Sequence, residues 1–320
     1  MGNPLVSIIT CTHNRPAMLR QAVLSILAQQ YRPAECIVVD DGSTDDTREA
    51  VAAFGGRVRY YRHENKGVIP TLNIACRELA RGAYIAISDD DDLMAPDRIS
   101  RLHKALRLFP RAVLAVGDAG MIDADGNRTG QWITLDMPGK TDGPMLIEDG
   151  YKAIMWPRIS LATCATLFRR ADGQRVGWFD EGFQRCADTD FFARLARLGP
   201  LVYVPRVVAW YRRGHESRWS SNAANNLICE YNNLKLFEKH LASGGGDREI
   251  TVRLRQRILD TLKRMAFLST PAVALPSPVK DDYEKKGLSS LGMKDRLAYK
   301  WYAGIRLPLM IALRKGFFQG

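Results

Sequence analysis

Ala83-Tyr84-Ile85-Ala86-Ile87-Ser88-Asp89-Asp90-Asp91-Asp92 is the stretch on which the reading of this chain turns. A short apolar run, the pattern of a buried strand, leads straight into four consecutive carboxylates. Adjacent negative charges repel one another, so such a run is either a solvated acidic turn or a seat for a cation. Mg²⁺ or Mn²⁺ held by one or two carboxylates plus substrate phosphates is the usual arrangement of the second kind. About 50 residues upstream, the apolar segment Cys36–Asp40 runs into Asp41-Gly42-Ser43, a spacing expected of βαβ units. Two acidic strand ends side by side mark a crevice, and open α/β sheets bind ligands there.

Around these two points strand and helix patterns alternate. Residues 5–12 read as a buried strand, and Asn14-Arg15-Pro16 opens a helix to about Gln30. Ser43 to Asp46 supply capping residues for a helix over 47–54, followed by a strand at 58–62 and a helix over roughly 69–80. Pro96-Asp97 starts a helix to about Phe109, and 112–116 is another strand. Residues 119–160 give no clear assignment. A strand at 162–169, a helix over 188–198 and short strands at 201–204 and 207–211 complete the first 220 residues. The alternation predicts an α/β fold with a mostly parallel central sheet and helices on both faces. Beyond residue 221 the pattern is helical, interrupted by Ser243-Gly244-Gly245-Gly246 and by a proline-rich stretch at 271–278.

The net charge of +11 points to an anionic partner, which nucleic acid, anionic lipid and phosphorylated substrates all satisfy. No nucleic-acid-binding module is visible, so nucleic acid is not expected as a partner. Six scattered cysteines without a CxxC pair argue against zinc and disulfides and for a reducing compartment. The start lacks the pattern of a signal peptide, and no apolar run reaches the about 18 residues of a spanning helix. The expected location is the cytoplasm, with contact at the inner face of the cell membrane.

An ordered series of motifs carries a resemblance. It runs Val6–Arg15, Val38–Asp45, Asn65–Gly67 with Asn73, Ser88–Asp92 ahead of Pro96, Phe179–Glu181, Asp188-Thr189-Asp190 with Arg194, and Tyr211–Arg213 with His215. Over roughly residues 4–220 the chain resembles family 2 glycosyltransferases, inverting enzymes of the GT-A fold that use nucleotide-diphosphate sugars. The resemblance implies a catalytic domain over 1–220, with a nucleotide-binding half (1–118) and an acceptor-binding half (119–220), and a helical C-terminal extension over 221–320.

It also implies roles. Cys11, Thr12 and His13 would line the nucleobase pocket, Asp41 would bond the base, and Lys66 would lie nearby. Asp89 would stand near the ribose, with Asp90 assisting. Asp91 would be the direct ligand of Mn²⁺ or Mg²⁺, joined by His215 as metal ligand or diphosphate donor. Arg212, Arg213 and Arg218 would meet the diphosphate, and Asp188 would be the base that deprotonates the acceptor. Structural alternatives stand beside these: Asp41 as an Asp-Gly turn residue and Asp188 as a helix N-cap. Asp190 reads as structural, and Trp156, Trp178, Trp210 and Trp219 as sugar-stacking or packing aromatics.

The expected activity is transfer from a nucleotide-diphosphate sugar, UDP-sugar first, to a hydroxyl of a glycan or lipid-linked acceptor in bacterial surface polysaccharide or glycolipid assembly. Self-association is a further expectation. A sugar-phosphate nucleotidyltransferase would call for a glycine-rich phosphate loop after the first strand, which His13–Pro16 is not. A non-catalytic scaffold would have lost the carboxylates. In the extension, Ile250–Leu268 and Lys294–Phe318 interleave basic with apolar residues, a pattern of either membrane-surface helices or helices packed on protein.

Overall fold

The parallel half of the sheet follows from four short apolar strands, β1 (Val6–Thr12), β2 (Ala34–Asp40), β3 (Val58–Arg62) and β4 (Tyr84–Ile87), which lie in the order β3-β2-β1-β4. Parallel strands need crossovers, and α1 (Pro16–Leu27), α2 (Thr47–Ala52) and α3 (Val68–Ile74) supply them. Pro16 is preset for a first helical turn, and Leu19, Ala22, Val23 and Ile26 make one buried stripe. Val6 and Ile8 of β1 join that stripe in one core with Ile99, Leu102 and Leu106 of α4 (Arg98–Leu108). The structure is a computed structural model and describes residues 2–132, 142–156, 161–214, 223–243 and 247–268.

The second half of the sheet is mixed. β9 (Thr166–Arg169) lies antiparallel between β4 and β6 (Leu114–Ile122), and β10 (Leu201–Arg212) runs parallel to β6. β5 (Leu93–Met94), β7 (Arg128–Trp132) and β8 (Met145–Ile147) add antiparallel pairings at the margins. α5 (Gly150–Met155), α6 (Arg170–Arg175) and α7 (Ala187–Ala196) complete this part, with Phe191 and Phe192 of α7 in edge contact with Phe168 of β9.

Several boundaries differ from expectation for identifiable reasons. β6 runs through Gly117 and Gly120 because side chains of β10 lie over them. A Cβ on Gly117 would meet Val208 Cγ2 at 2.6 Å, and one on Gly120 would meet Trp210 Cδ1 at 2.6 Å. β10 is one strand with register irregularities between Val204 and Ala209, not two short ones. The helix expected over 69–80 is α3 followed by a wider π turn at Ala75–Leu79. The strand expected over 162–169 begins at Thr166, after a 3₁₀ turn at Thr163–Ala165.

The chain divides into two compact units. The first holds the elements above, and the second comprises Gln184–Cys186 and the described residues from 223 onward. In the second, α8 (Ala223–Ala242) packs with α9 (Arg248–Leu268). Leu234 and Phe237 are buried in α8, as are Leu254, Ile258, Leu259 and Leu262 in α9, and Arg257 lies 4.7 Å over the Phe237 ring. Four apolar residues of α9 are therefore packed within the protein, while Val252 of the same pattern is exposed. The segment Lys294–Phe318 lies outside the described residues. Among those described, no helix is long and apolar enough to cross a membrane.

Candidate active site

Because β2, β1 and β4 are neighbours and parallel, their carboxyl ends open at one edge. Pairing continues one residue past each strand, with Asp41 N donating to Thr12 O (2.9 Å) and Ser88 N to Ile9 O (2.9 Å). Thr12 Oγ1 donates to Asp90 Oδ2 (2.8 Å), and Arg15 Nη1 donates to both Asp90 Oδ1 (3.0 Å) and Asp91 Oδ2 (2.8 Å). The first strand end and the acidic run, remote in sequence, are thus one polar assembly.

The β2 end builds the neighbouring wall. Asp40 is fully buried and shapes its own turn by accepting Ser43 N (2.7 Å) and Tyr60 Oη. Asp41 accepts Lys66 N (2.7 Å), Gly67 N (2.9 Å) and Thr71 Oγ1 (3.0 Å), so it caps the start of α3 from across the loop. Gly67, at φ +92°, permits that entry. The side chain of Lys66 is exposed. His13 Nδ1 donates to Asp41 O (2.9 Å), and Asn14 Nδ2 lies 3.3 Å from its Nε2, which suits an imidazole protonated at Nδ1. Cys11, Thr12, His13, Asp41 and Lys66 therefore surround one corner of the cleft. Burial pushes the Cys11 thiol well up, followed by the nearby Cys76, Asp89, Asp90 and Asp41.

The four carboxylates cannot all be charged cheaply. Burial raises Asp90 to about 6, despite the Arg15 guanidinium, and Asp92 to about 7, with Asp91's charge adding to the rise. Asp89 is pushed well above its ordinary range by burial and then by Asp92, Asp91, Asp90 and Asp188. Asp188 therefore lies within electrostatic reach of the run. In the first turn of α7, it accepts Thr163 Oγ1 (3.2 Å) and Thr189 N (2.8 Å) and remains half-buried. Tyr211 belongs to the same surroundings, raised to about 12 by burial and then by Asp92, Asp89 and Asp91.

Beneath the run sits Arg98, fully buried at the start of α4. Its Nη2 donates to the carbonyls of Ile87 and Thr166 (both 2.9 Å), while Nε and Nη1 find no partner among the described residues. Burial lowers it to about 10, opposed by Cys164, Asp92 and Asp89. A buried cation without a full set of acceptors is tolerable only beside negative charge, and the run supplies it.

Arg212 departs from its expected role. Its guanidinium is buried and donates to Asp91 O (2.7 Å), Asp123 O (3.2 Å), Ala124 O (2.8 Å) and Gln21 Oε1 (2.7 Å). Its backbone N donates to Asp92 Oδ1 (2.9 Å). Arg212 thus locks the acidic loop to α1, β10 and the β6–β7 turn, and its side chain is turned into the protein instead of toward a diphosphate. Arg213 is exposed beside it. His215, Arg218 and Trp219 lie outside the described residues. Trp178 is core, whereas half-buried Trp210 lies on Gly120 with the Arg128 guanidinium 5.0 Å from its ring.

Two other motifs are structural clips. Asn73 exchanges hydrogen bonds with the backbone of Phe179 (2.9 and 3.0 Å) and donates to Glu181 Oε1 (2.8 Å). Asp190, fully buried, pairs with Arg194 (2.8 Å), whose guanidinium also grips the carbonyls of Val176 and Trp178. The sequence alone assigns no site role to Arg15, Arg98, Cys164 or Tyr211. Only Arg15 carried a usable signal there: a cation placed between the first strand end and a helix start.

Among the described residues, no three His, Cys, Asp or Glu side chains form a ready-made metal cage. An all-oxygen donor set still suits Mg²⁺ or Mn²⁺, which complete their shell with substrate phosphate and water. The mutual repulsion within Asp89–Asp92 fits such an ion.

The sequence model described as glycosyl transferase family 2 matches residues 7–180. An uncharacterized glycosyltransferase of Rickettsia prowazekii is 26% identical over 316 residues, 98% of this chain and 92% of that protein. S. aureus TarS 1–349 in complex with UDP aligns with a TM-score of 0.63 at 14% identity, over 98% of this chain and 91% of that chain. The mannosyltransferase PcManGT from Pyrobaculum calidifontis, in complex with GDP-Man and Mn²⁺, aligns at 0.58 and 20% identity, over 96% of this chain and 87% of that chain. The structural likenesses establish the GT-A fold that the motifs implied. The chain belongs to glycosyl transferase family 2 and is an enzyme that transfers sugar from a nucleotide sugar.

Proposed function

We propose that this glycosyltransferase is metal-dependent and inverting, with a UDP-sugar as favoured donor and a hydroxyl of a glycan or lipid-linked molecule as acceptor. The observation that supports this most directly is that Asp188 lies within electrostatic reach of Asp89, as a base beside the donor-side carboxylates would have to. Asp188 takes the proton of the acceptor hydroxyl as that oxygen attacks the anomeric carbon opposite the diphosphate. The bond from that carbon to the phosphate oxygen breaks, its electron pair leaves with the diphosphate, and configuration inverts. Thr163 Oγ1 and Thr189 N hold the carboxylate oriented.

Cys11, Thr12, His13, Asp41 and Lys66 bind the base. Asp89 and Asp90 face the ribose. Asp91, with Asp89 close by in the run and His215 from the sequence after β10, would hold Mn²⁺ or Mg²⁺. When bound, the ion neutralises charge on the leaving diphosphate. Arg213 and Arg218 take the diphosphate role, without Arg212. UDP is favoured because TarS is described with UDP, while PcManGT, described with GDP-Man and Mn²⁺, supports the metal. We place this enzyme in the cytoplasm, in surface polysaccharide or glycolipid assembly, meeting a membrane-delivered acceptor at the inner face, and the charge of +11 supports attraction to that anionic surface.

The test is Asp188→Asn. Transfer should fall by about 10²–10⁴-fold with nucleotide affinity unchanged. Turnover close to wild type would move the base elsewhere.

A further inference from the structure

Arg15 is held in place by the turn before it. Asn14 adopts φ +54°, its N donates to Ser43 Oγ (2.9 Å), and its Oδ1 accepts Thr44 N (2.8 Å). Pro16 then opens α1, so the Arg15 side chain leaves the strand–helix turn directly over the acidic run. One nitrogen, Nη1, bridges Asp90 Oδ1 at 3.0 Å and Asp91 Oδ2 at 2.8 Å, with the Arg15 side chain 26% exposed. An arginine side chain is thus already paired with the run, and it sits on the carboxylate proposed for the metal.

An ion coordinated by Asp91 at about 2.1 Å would lie within a few ångströms of that guanidinium, and two cations so close in a half-buried cleft repel strongly. Asp91 thus cannot serve both fully. A nucleoside diphosphate changes the balance, because its oxygens offer the guanidinium a bidentate alternative to the carboxylates. We propose that Arg15 makes metal uptake conditional on the donor: it occupies Asp91 in the empty enzyme and yields it when a diphosphate arrives to share the guanidinium. The proposal rests on the metal-dependent reading above and adds to it a residue that sets the order of binding. In this scheme Arg15 touches the donor's diphosphate and acts on the metal through Asp91.

The experiment is titration of the full chain with Mn²⁺, followed by the spin-resonance signal of free Mn²⁺, with and without UDP or GDP. Wild type, Arg15→Gln and Arg15→Lys are compared, and thermal unfolding of each serves as the folding control. Wild type should bind Mn²⁺ much more tightly with nucleotide than without. Arg15→Gln should bind Mn²⁺ alone about tenfold more tightly than wild type, so the coupling between metal and nucleotide shrinks. Arg15→Lys, which keeps the charge, should stay near wild type.

If Arg15 only braces the loop, Arg15→Gln will bind Mn²⁺ equally or more weakly in both conditions, and that result overturns the proposal alone. Wild type that binds no Mn²⁺ with either nucleotide would overturn the metal-dependent reading and this proposal together. Should Arg15→Gln not fold, arginine side-chain NMR of the wild type gives the same decision with Mg²⁺. The Arg15 signal should move when Mg²⁺ and UDP are added together and not with Mg²⁺ alone; a move with Mg²⁺ alone contradicts it.

Discussion

Asp90 and Asp92 keep their protons in the folded protein up to about pH 6 and about pH 7, whereas the unfolded chain releases them near 3.8. The folded state therefore binds more protons between those values. Its stability from these groups is fully present below 3.8 and is lost as pH rises through about 6 and about 7. For Asp90 the effect is at most about 3 kcal/mol. Metal-free protein should melt several degrees higher at pH 5.5 than at pH 8, and Mn²⁺ with nucleotide should flatten that slope. A flat profile without metal would contradict the buried-carboxylate picture. The carboxylates themselves were legible in the sequence because four in a row after an apolar strand have few explanations. Arginines were not, since a long side chain can turn either way from its backbone. Arg212 turns inward to four protein acceptors, and Arg98 lies buried under the run. Neither orientation leaves a trace in spacing.

Elements that alternate regularly were readable: β1 to β4, α1 and α4 fall close to where apolar period and capping residues put them. What escaped depends on partners distant in sequence. β6 continues through two glycines because β10 lays Val208 and Trp210 over them, and a glycine alone reads as a break. Gly120→Ala should cost about 1–3 kcal/mol through displacement of Trp210, measured by denaturant unfolding. Asn73 looked like a motif residue of unstated purpose, yet it joins α3 to the Phe179–Glu181 turn by buried hydrogen bonds. Asn73→Ala leaves both polar backbone groups of Phe179 without that partner, so a loss of about 2–4 kcal/mol is expected. Wild-type stability in this variant would show that the clip holds nothing.

For the molecule as a whole, charge and the helical extension bear on where the enzyme works. Leu254, Ile258, Leu259 and Leu262 of α9 are buried in the protein, so the attraction expected of a +11 chain to anionic lipid is chiefly electrostatic. The full chain should co-sediment with anionic vesicles at low salt, release at roughly 0.5 M salt, and ignore neutral vesicles. Salt-resistant binding would instead indicate apolar insertion. In the function proposed above, the carboxyl ends of β1, β2 and β4 hold a nucleoside diphosphate through a divalent ion. Isothermal titration of the protein with UDP, GDP and dTDP, each with and without Mn²⁺, tests it most directly. Tight binding of one nucleotide, UDP first, that depends on Mn²⁺ and is lost in Asp91→Asn is the expected result. Binding of none with metal present, or equal binding without it, would contradict a metal-bridged diphosphate site.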